Sequence, residues 1–339
     1  MKKLIFLSLV ILIQGCSHVG AKDSSRFPAQ ETDELKEGRH STQVWNHGKR
    51  SEKVLLVMHG LHESPAYMFG FAKAFYDKGY NVLSIRLPGH QTINRDDLNK
   101  TKASEWIDSS VQGLEFALTL GNQVEVLGYS LGGLLAVNLA LKYPEQVRAL
   151  YLIAPALALR NRVVSAGVLA GWSGDASKVC SPDPDSERNL LCRLILLDDQ
   201  AGQMIKEDIY PSPAAGYQVQ RAIDIISEKT PARPGVGEGA ESNNYFERLM
   251  ATYNQLKVPI FMVNSAADIV IQPDFNEKFI NQYAGIHGSL YFPKQKQISH
   301  IMLSKSADDA FRHQPQTANP YFSDILAKIT EFQSQLPQP

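Results

Sequence analysis

Several features are scarce in this 339-residue chain, and each scarcity excludes a class of protein. Charge of one sign is not in excess, because 34 lysine and arginine residues face 35 aspartate and glutamate residues, which argues against a nucleic-acid-binding surface or an acidic tail. The uncharged apolar run at residues 4–13 is too short to span a bilayer as a helix. No glycine-rich phosphate loop or dinucleotide fingerprint occurs, so we expect a packed globular domain without a cofactor.

The apolar run has the pattern of an export signal. Lys2 and Lys3 precede it, as in a signal peptide. It ends in LIQGCS, which resembles the bacterial lipoprotein signal, in which a small residue precedes a cysteine that is lipidated and becomes the mature N-terminus. That resemblance implies a signal peptide at residues 1–15, a lipid on Cys16, and attachment to a membrane through acyl chains.

Two details bear on this interpretation. Ser17 follows the cysteine, and in didermal bacteria this implies a lipid-anchored protein of the outer membrane, with the leaflet left open. Gln14 is less usual inside the motif, so a cleaved secretory signal with an incidental cysteine stays open as the alternative.

Cysteine is scarce, with three residues in the chain. Once Cys16 is assigned to lipid, Cys180 and Cys192 form an even pair in an oxidising compartment, and we expect a disulfide between them. Two unpaired thiols are the alternative.

Strands and helices alternate along most of the chain. After a polar tether at residues 16–41, apolar strand-like segments such as KVLLVMHG, NVLSIRL, QVEVLG and VRALYLIAP are separated by helical patterns. This alternation predicts an α/β fold whose mostly parallel sheet is covered by helices on both faces. The core would occupy residues 42–155 and 257–339, and prolines and polar clusters between them predict an inserted cap at residues 156–256.

The sequence GYSLG matches the pattern G-x-S-x-G, with a strand leading directly into it and a helix leading directly out. This context is typical of a nucleophile elbow, in which a serine is held in a strained turn at the carboxyl edge of a sheet. Ser130 is therefore the candidate nucleophile, with an ordinary serine in a tight turn as the alternative. A serine hydroxyl needs a histidine base, and that histidine needs a carboxylate to set its tautomer.

Chain order and sheet direction select the two partners. Such elbows are followed by an acid and then a histidine, each just after a strand. Asp268 follows the strand VPIFMVN, whereas Asp274 is a fallback that starts a helix more naturally. Of the later histidines, His300 follows the strand SLYFP, while His287 precedes it and belongs at the opposite edge. His313 lies after a polar, helix-like stretch and is expected at the surface.

Backbone N–H groups would stabilise the oxyanion that forms during acyl transfer. The elbow supplies one from Leu131, and the loop VMHGLHES supplies a second from Leu61, where Gly60 lets the backbone turn. His59 and His62 on that loop are weak evidence for a metal, because no carboxylate–histidine cluster accompanies them, and we expect none.

The segments VLLVMHGLHES, VLSIRLPGH, VLGYSLGG, VPIFMVNSAADIVI and ISHIML, taken together, resemble the α/β-hydrolases of the monoacylglycerol lipase, lysophospholipase and carboxylesterase group. The resemblance implies a Ser130–Asp268–His300 triad, an oxyanion hole at Leu61 and Leu131, and a structural role for His90 in the entrance loop RLPGH. Relatives that open epoxides or carbon–halogen bonds use an aspartate nucleophile, so serine at position 130 favours acyl transfer.

The expected activity is hydrolysis of carboxylic esters through an acyl-enzyme. With a lipid anchor beside it, the expected substrate is a single-chain lipid such as a lysophospholipid or a monoacylglycerol. A peptidase or amidase, a thioesterase, and a scaffolding lipoprotein without chemistry are the alternatives. The predicted cap matches nothing assignable, so the sequence leaves head group and acyl length open.

Overall fold

The computed structural model describes residues 38–94, 96–159, 213–227, 238–268, 270–296, 298, 300, 302 and 319–337. The predicted signal peptide, Cys16, Cys180, Cys192 and His313 lie outside these residues. Within the described part of the chain, no helix is long and apolar enough to cross a membrane.

The described residues form a seven-stranded sheet in the order β1-β3-β2-β4-β5-β6-β7. Every neighbouring pair is parallel except β1 and β3, which are antiparallel. The strands are β1 (Gln43–Trp45), β2 (Val54–Met58), β3 (Asn81–Ile85), β4 (Val124–Tyr129), β5 (Val147–Ile153), β6 (Ile260–Ser265) and β7 (His287–Phe292). The predicted mostly parallel sheet is confirmed.

Eight α-helices are described. They are α1 (Phe69–Tyr76), α2 (Asp97–Lys100), α3 (Ala103–Leu120), α4 (Leu131–Lys142), α5 (Pro213–Ile226), α6 (Glu238–Tyr253), α7 (Pro273–Gln282) and α8 (Phe322–Gln333). Helices α3 and α4 pack against each other and against β2 and β4, while α1 contacts α8 through the rings of Phe71 and Phe322, 4.7 Å apart. Buried residues fill β2, β3, β4 and β6 on both faces, as a sheet covered by helices requires.

Two local features differ from the sequence-based expectation. Strand β1 was not predicted, because three half-buried residues at a sheet edge are too few to give a periodic signal. A serine directly before a proline, as at Ser64 and Pro65, is typical of a helix start, but the Ser64 side chain caps nothing here. Its Oγ instead bonds Nδ1 of the buried His40 at 2.7 Å, and a short 3-10 helix, Pro65–Met68, precedes α1.

The C-terminal part of the predicted cap contains α5 and α6, which lie in the chain between β5 and β6. Helix α5 packs against α2, α3 and α4, and the side chain of Gln218 accepts a hydrogen bond from the Ala103 N–H at 3.0 Å. Helix α6 ends with Tyr253, which is buried and donates its hydroxyl to the Leu157 carbonyl at 2.9 Å. These two helices are therefore anchored to the sheet and its covering helices.

The parallel strands bring four loops to one edge of the sheet. Because β2, β4, β5, β6 and β7 are neighbours in that order, the residues that follow β2, β4, β6 and β7 lie near one another. The predicted functional residues Leu61, Ser130, Asp268 and His300 all follow these four strands.

Candidate active site

Ser130 occupies a strained turn between β4 and α4. Its φ of 52° and ψ of −114° lie in a region that non-glycine residues rarely adopt, at a cost of about 1–3 kcal/mol. Neighbouring backbone holds it there, since the Ser130 N–H donates to the Ile153 carbonyl at 3.0 Å and its own carbonyl accepts the Ala156 N–H at 3.0 Å. Both partners belong to β5 or to the loop after it, so the adjacent strand maintains the strain.

The glycines around Ser130 allow strand and helix to approach closely. A Cβ on Gly128 would collide with the backbone of Gly132, and a Cβ on Gly132 would collide with the carbonyl of Met58 at the end of β2. A Cβ on Gly133 would lie 2.7 Å from the Cβ of Pro155. The glycines of the GYSLGG segment are therefore required by packing, which a match to the motif alone does not establish.

A continuous chain of hydrogen bonds links the serine, the histidine and the aspartate chosen from the sequence. The Ser130 hydroxyl donates to Nε2 of His300 at 2.8 Å, and Nδ1–H of His300 donates to Oδ2 of Asp268 at 2.7 Å. The side chain of Asp268 is fully buried, and that of His300 is 12% exposed. These three side chains, which are up to 170 residues apart in the chain, thus have the geometry needed to transfer a proton away from an attacking serine.

The loop carrying Asp268 is fixed independently of His300. Oδ1 of Asp268 accepts the N–H groups of Val270 at 2.8 Å and Ile271 at 3.2 Å, which leaves Oδ2 to face the imidazole. Ser265, at the end of β6, donates its hydroxyl to the carbonyl of Ile298 at 2.6 Å. The loops after β6 and β7 are therefore bonded to each other close to both residues.

One predicted oxyanion donor lies in the elbow itself, and the other lies on a loop that contacts the elbow. Leu131 is the first residue of α4, so its N–H has no acceptor within the helix. Gly60, next to Leu61, packs so closely that a Cβ there would lie 2.8 Å from ring atoms of Tyr129. Among the described hydrogen bonds, neither the Leu61 N–H nor the Leu131 N–H donates, so both are available to a bound oxyanion.

The other histidines near the site, His59 and His62 after β2 and His90 after β3, have the environments of structural residues. His59 is fully buried, donates from Nδ1 to the Gly60 carbonyl at 2.8 Å and accepts the Leu87 N–H at Nε2 at 3.0 Å. Burial lowers the pKa of His59 to about 3 and that of His62 to about 4. His90 is also buried, and burial lowers its pKa well below the usual value. Among the described residues, no group of three or more His, Cys, Asp or Glu side chains could hold a metal ion.

The alternative acid and bases lie elsewhere. Asp274 is in the first turn of α7. His287 is the exposed first residue of β7, at the end of the strand opposite to the loop that carries His300, where it donates to the Gly285 carbonyl at 2.8 Å. Neither takes part in the hydrogen bonds of Ser130, Asp268 and His300.

Two buried residues near this site were missed by sequence reasoning. Tyr129 precedes the serine, donates its hydroxyl to the His300 carbonyl at 3.0 Å, and has its pKa raised well above the usual value by burial. Glu63 follows the first loop, and its Oε2 accepts the Gly60 N–H at 3.0 Å. Glu63 is the single acidic residue among residues 54–72, which was a signal for it, but the partner of Tyr129 is 171 residues away and left no local signal.

Comparison with protein families gives one match that covers most of the chain. The family described as serine aminopeptidase, S33, matches residues 49–295. The chain belongs to this family. The match runs from just before β2 to the loop after β7 and therefore includes the segments that carry Leu61, Ser130 and Asp268.

Individual proteins match this chain over shorter stretches or at low sequence identity. The chain is 32% identical over 91 residues to the thermostable monoacylglycerol lipase of Bacillus sp. (strain H-257), a match that spans 27% of this chain and 36% of that relative. The structure is similar to that of the monoacylglycerol lipase of Paleococcus ferrophilus, at 16% identity and a TM-score of 0.57, covering 87% of this chain and 98% of the other.

A soluble variant of monoglyceride lipase from Saccharomyces cerevisiae is similarly related. It is 13% identical, with a TM-score of 0.55, over 88% of this chain and 91% of the other. These likenesses confirm the predicted α/β-hydrolase fold.

Proposed function

We propose that this protein is a serine hydrolase that cleaves carboxylic esters of lipids with a single acyl chain, such as lysophospholipids or monoacylglycerols. The observation that carries the proposal is the hydrogen-bonded series from Ser130 through His300 to Asp268, at 2.8 and 2.7 Å. Family membership supports serine-based hydrolysis, and the partial match to a monoacylglycerol lipase supports a lipid ester.

In the proposed reaction His300 removes the proton from Ser130 as its Oγ attacks the ester carbonyl carbon. The N–H groups of Leu61 and Leu131 stabilise the tetrahedral oxyanion. His300 then returns the proton to the departing alcohol, which leaves an acyl group on Ser130. Water, deprotonated by His300, attacks this acyl group, and the fatty acid leaves as Ser130 recovers its proton. Asp268 stays ionised and stabilises the imidazolium in each half of the cycle.

The first test uses a fluorophosphonate probe followed by peptide mapping. The proposal predicts a single labelled site at Ser130, which is absent in the Ser130→Ala variant. Ser110→Ala is a suitable control, because Ser110 is also buried but lies on α3, where it bonds only the Ile107 carbonyl at 2.7 Å. Absence of labelling in the folded wild-type protein would favour the scaffolding alternative.

The second test uses a panel of lipids that differ in head group and number of acyl chains. We expect the highest kcat/KM for lipids with one chain and a lower value for two-chain phospholipids. Equal hydrolysis of short water-soluble esters with no activity on any lipid would contradict the proposed substrate class.

A peptidase or amidase is the second candidate, because the matching family carries the description serine aminopeptidase. Ester and amide analogues of one acyl group, together with aminoacyl substrates and a thioester, distinguish these activities. The ester proposal predicts that the ester reacts at least about 100-fold faster than the amide. Preferential release of an N-terminal amino acid would contradict the ester proposal and favour an aminopeptidase.

We also propose that the protein is a lipoprotein of the bacterial cell envelope, anchored through Cys16 and delivered to the outer membrane. The LIQGCS sequence supports this proposal. Metabolic labelling with an alkyne fatty acid is expected to mark the wild-type protein and not the Cys16→Ser variant. Equal labelling of both, or recovery of both in the soluble fraction, would contradict the anchor.

A further inference from the structure

The turn that follows β2 is held at both ends by Glu63. The Glu63 N–H donates to the Gly60 carbonyl at 3.3 Å, which closes a four-residue turn, and Oε2 of the Glu63 side chain accepts the Gly60 N–H at 3.0 Å. Within this turn, His62 has a φ of 69°, the left-handed conformation that the third position of a type II turn requires. Glu63 therefore stabilises a backbone conformation that a histidine does not adopt readily.

This turn orients the N–H of Leu61. The Gly60 carbonyl and the Leu61 N–H belong to one trans peptide unit, so they point in opposite directions. The carbonyl accepts hydrogen bonds from Nδ1–H of His59 at 2.8 Å and from the N–H of Glu63 at 3.3 Å. Fixing the carbonyl in this way fixes the direction of the Leu61 N–H, which is one of the two proposed oxyanion donors.

The carboxyl group of Glu63 lies in an enclosed environment beside the site. Glu63 is 7% exposed, and the Oε2 atom would be 3.0 Å from a Cβ on Gly60, the same position that contacts the ring of Tyr129. Tyr129 directly precedes Ser130 in the chain, so the carboxyl of Glu63 lies beside the residue before the proposed nucleophile. A negative charge in this position would oppose the negative charge that develops on the oxyanion.

Several titratable or charged groups surround this turn. They are His59 and His62 on the same loop, His40 at the end of the 3-10 helix Gly38–His40, Arg86 and His90 after β3, Tyr129 on β4, and Asp268 and His300 after β6 and β7. Burial keeps His59 and His62 uncharged near neutral pH, since it lowers their pKa to about 3 and about 4. Burial also raises the pKa of Glu63 to about 8, while the hydrogen bond from Gly60 acts in the opposite direction.

We propose that Glu63 is a positioning residue for the reaction, which acts through the Gly60 turn on the Leu61 N–H and must be uncharged for the oxyanion hole to function. The proposal rests on the proposed ester hydrolysis and adds to it an alkaline limit on activity. Loss of the Glu63 proton places an anion against the turn and weakens binding of the transition state more than binding of the uncharged ester.

The test is the pH dependence of kcat/KM between pH 6 and pH 10, measured with an uncharged ester and corrected for spontaneous hydrolysis. For the wild-type protein we expect a fall of about tenfold from pH 7 to pH 9, as for an essential acid that ionises near pH 8. Glu63→Gln keeps an acceptor for the Gly60 N–H and carries no charge, so its activity at pH 7 should stay within about threefold and its alkaline fall should disappear.

Two further variants complete the series. Glu63→Ala removes the acceptor and is expected to lower kcat by about 100-fold at every pH, as for the loss of one oxyanion donor, with little change in KM. Glu125→Gln is the matched control, because Glu125 is also a buried glutamate but is the second residue of β4, at the end of the strand far from Ser130, where it accepts the hydroxyl of Tyr151 at 2.7 Å. This control should keep the alkaline fall of the wild-type protein.

An alkaline fall that persists in Glu63→Gln, or full activity in Glu63→Ala, would overturn the proposal. If the protein hydrolyses no ester, carbon-13 NMR of the glutamate carboxyl groups still decides whether Glu63 is held uncharged, with its resonance assigned by Glu63→Gln. A titration midpoint near pH 8 supports an uncharged Glu63 at neutral pH, and a midpoint near the ordinary glutamate pKa of 4.5 overturns it.

Discussion

The hydroxyl of Ser265 donates a 2.6 Å hydrogen bond to the carbonyl of Ile298, and so joins the loop that carries Asp268 to the loop that carries His300. Ser265 lies three residues before Asp268, and Ile298 lies two residues before His300. This bond holds the loops of Asp268 and His300 together, in addition to the direct hydrogen bond between the imidazole and the carboxylate.

Ser265→Ala removes this connection and is expected to lower kcat by about five- to tenfold, because a net hydrogen bond contributes about 1 kcal/mol and the imidazole becomes less well placed. Steady-state kinetics on the best ester measures the effect. Ser110→Ala, which also deletes a buried hydroxyl bonded to a carbonyl, should leave kcat unchanged. Equal losses in the two variants would indicate a general effect on stability.

Ser130→Ala is expected to lower kcat by a factor on the order of 10⁶, because no other group in the arrangement can form the acyl-enzyme. Long incubations at high enzyme concentration are needed to measure so small a residual rate. Thermal unfolding of the variant should occur near the wild-type temperature, since alanine keeps the Cβ and therefore the same strained backbone conformation. Near-normal turnover would show that Ser130 is not the nucleophile.

Asp268→Asn should reduce kcat by about 10⁴, less than the loss of the serine. An asparagine at this position can still accept the Val270 N–H, but it no longer stabilises the imidazolium or selects the tautomer in which Nδ1 of His300 carries the proton. The pH profile of kcat, together with KM, measures the change. A loss confined to KM would point to a role in substrate binding instead.

Gly132→Ala is expected to destabilise the fold by about 2 kcal/mol or more, because the added methyl group would collide with the Met58 carbonyl. Gly216→Ala is the matched control. Gly216 lies in α5 with no atom within 4 Å of an added Cβ, and alanine in a helix should increase stability by about 0.5–1 kcal/mol. Urea unfolding measures both, and equal effects would contradict the packing argument.

The lowered pKa of His59 predicts how the free energy of unfolding changes at acidic pH. Its pKa is lowered by burial from 6.5 to about 3, so its neutral form stabilises the fold above pH 6.5 and this contribution is lost as the pH falls toward 3. Between pH 7 and pH 5 the loss from one such group is about 2 kcal/mol. The unfolding free energy of His59→Asn should therefore fall less over this interval than that of the wild-type protein. His287→Asn, at an exposed site, should behave as wild type.

The sequence by itself determined the alternation of strands and helices, because buried parallel strands need nearly continuous apolar runs and exposed helices need an apolar face. It also indicated the elbow at Ser130, since the GYSLG segment lies directly between an apolar strand pattern and a helical pattern. Chain order and strand direction then singled out Asp268 and His300, because the ends of parallel strands meet at one edge of the sheet.

Only the tertiary structure decided which side chains support these residues. The partners of Ser64, Tyr129 and Ser265 lie 24, 171 and 33 residues away, and no local periodicity encodes such contacts. The ionisation of Glu63 depended on its burial beneath neighbouring loops, which raises its pKa to about 8 although the residue itself is an ordinary acid. Local patterns reflect backbone conformation and burial, whereas hydrogen bonds and pKa values depend on which segments the folded chain places in contact.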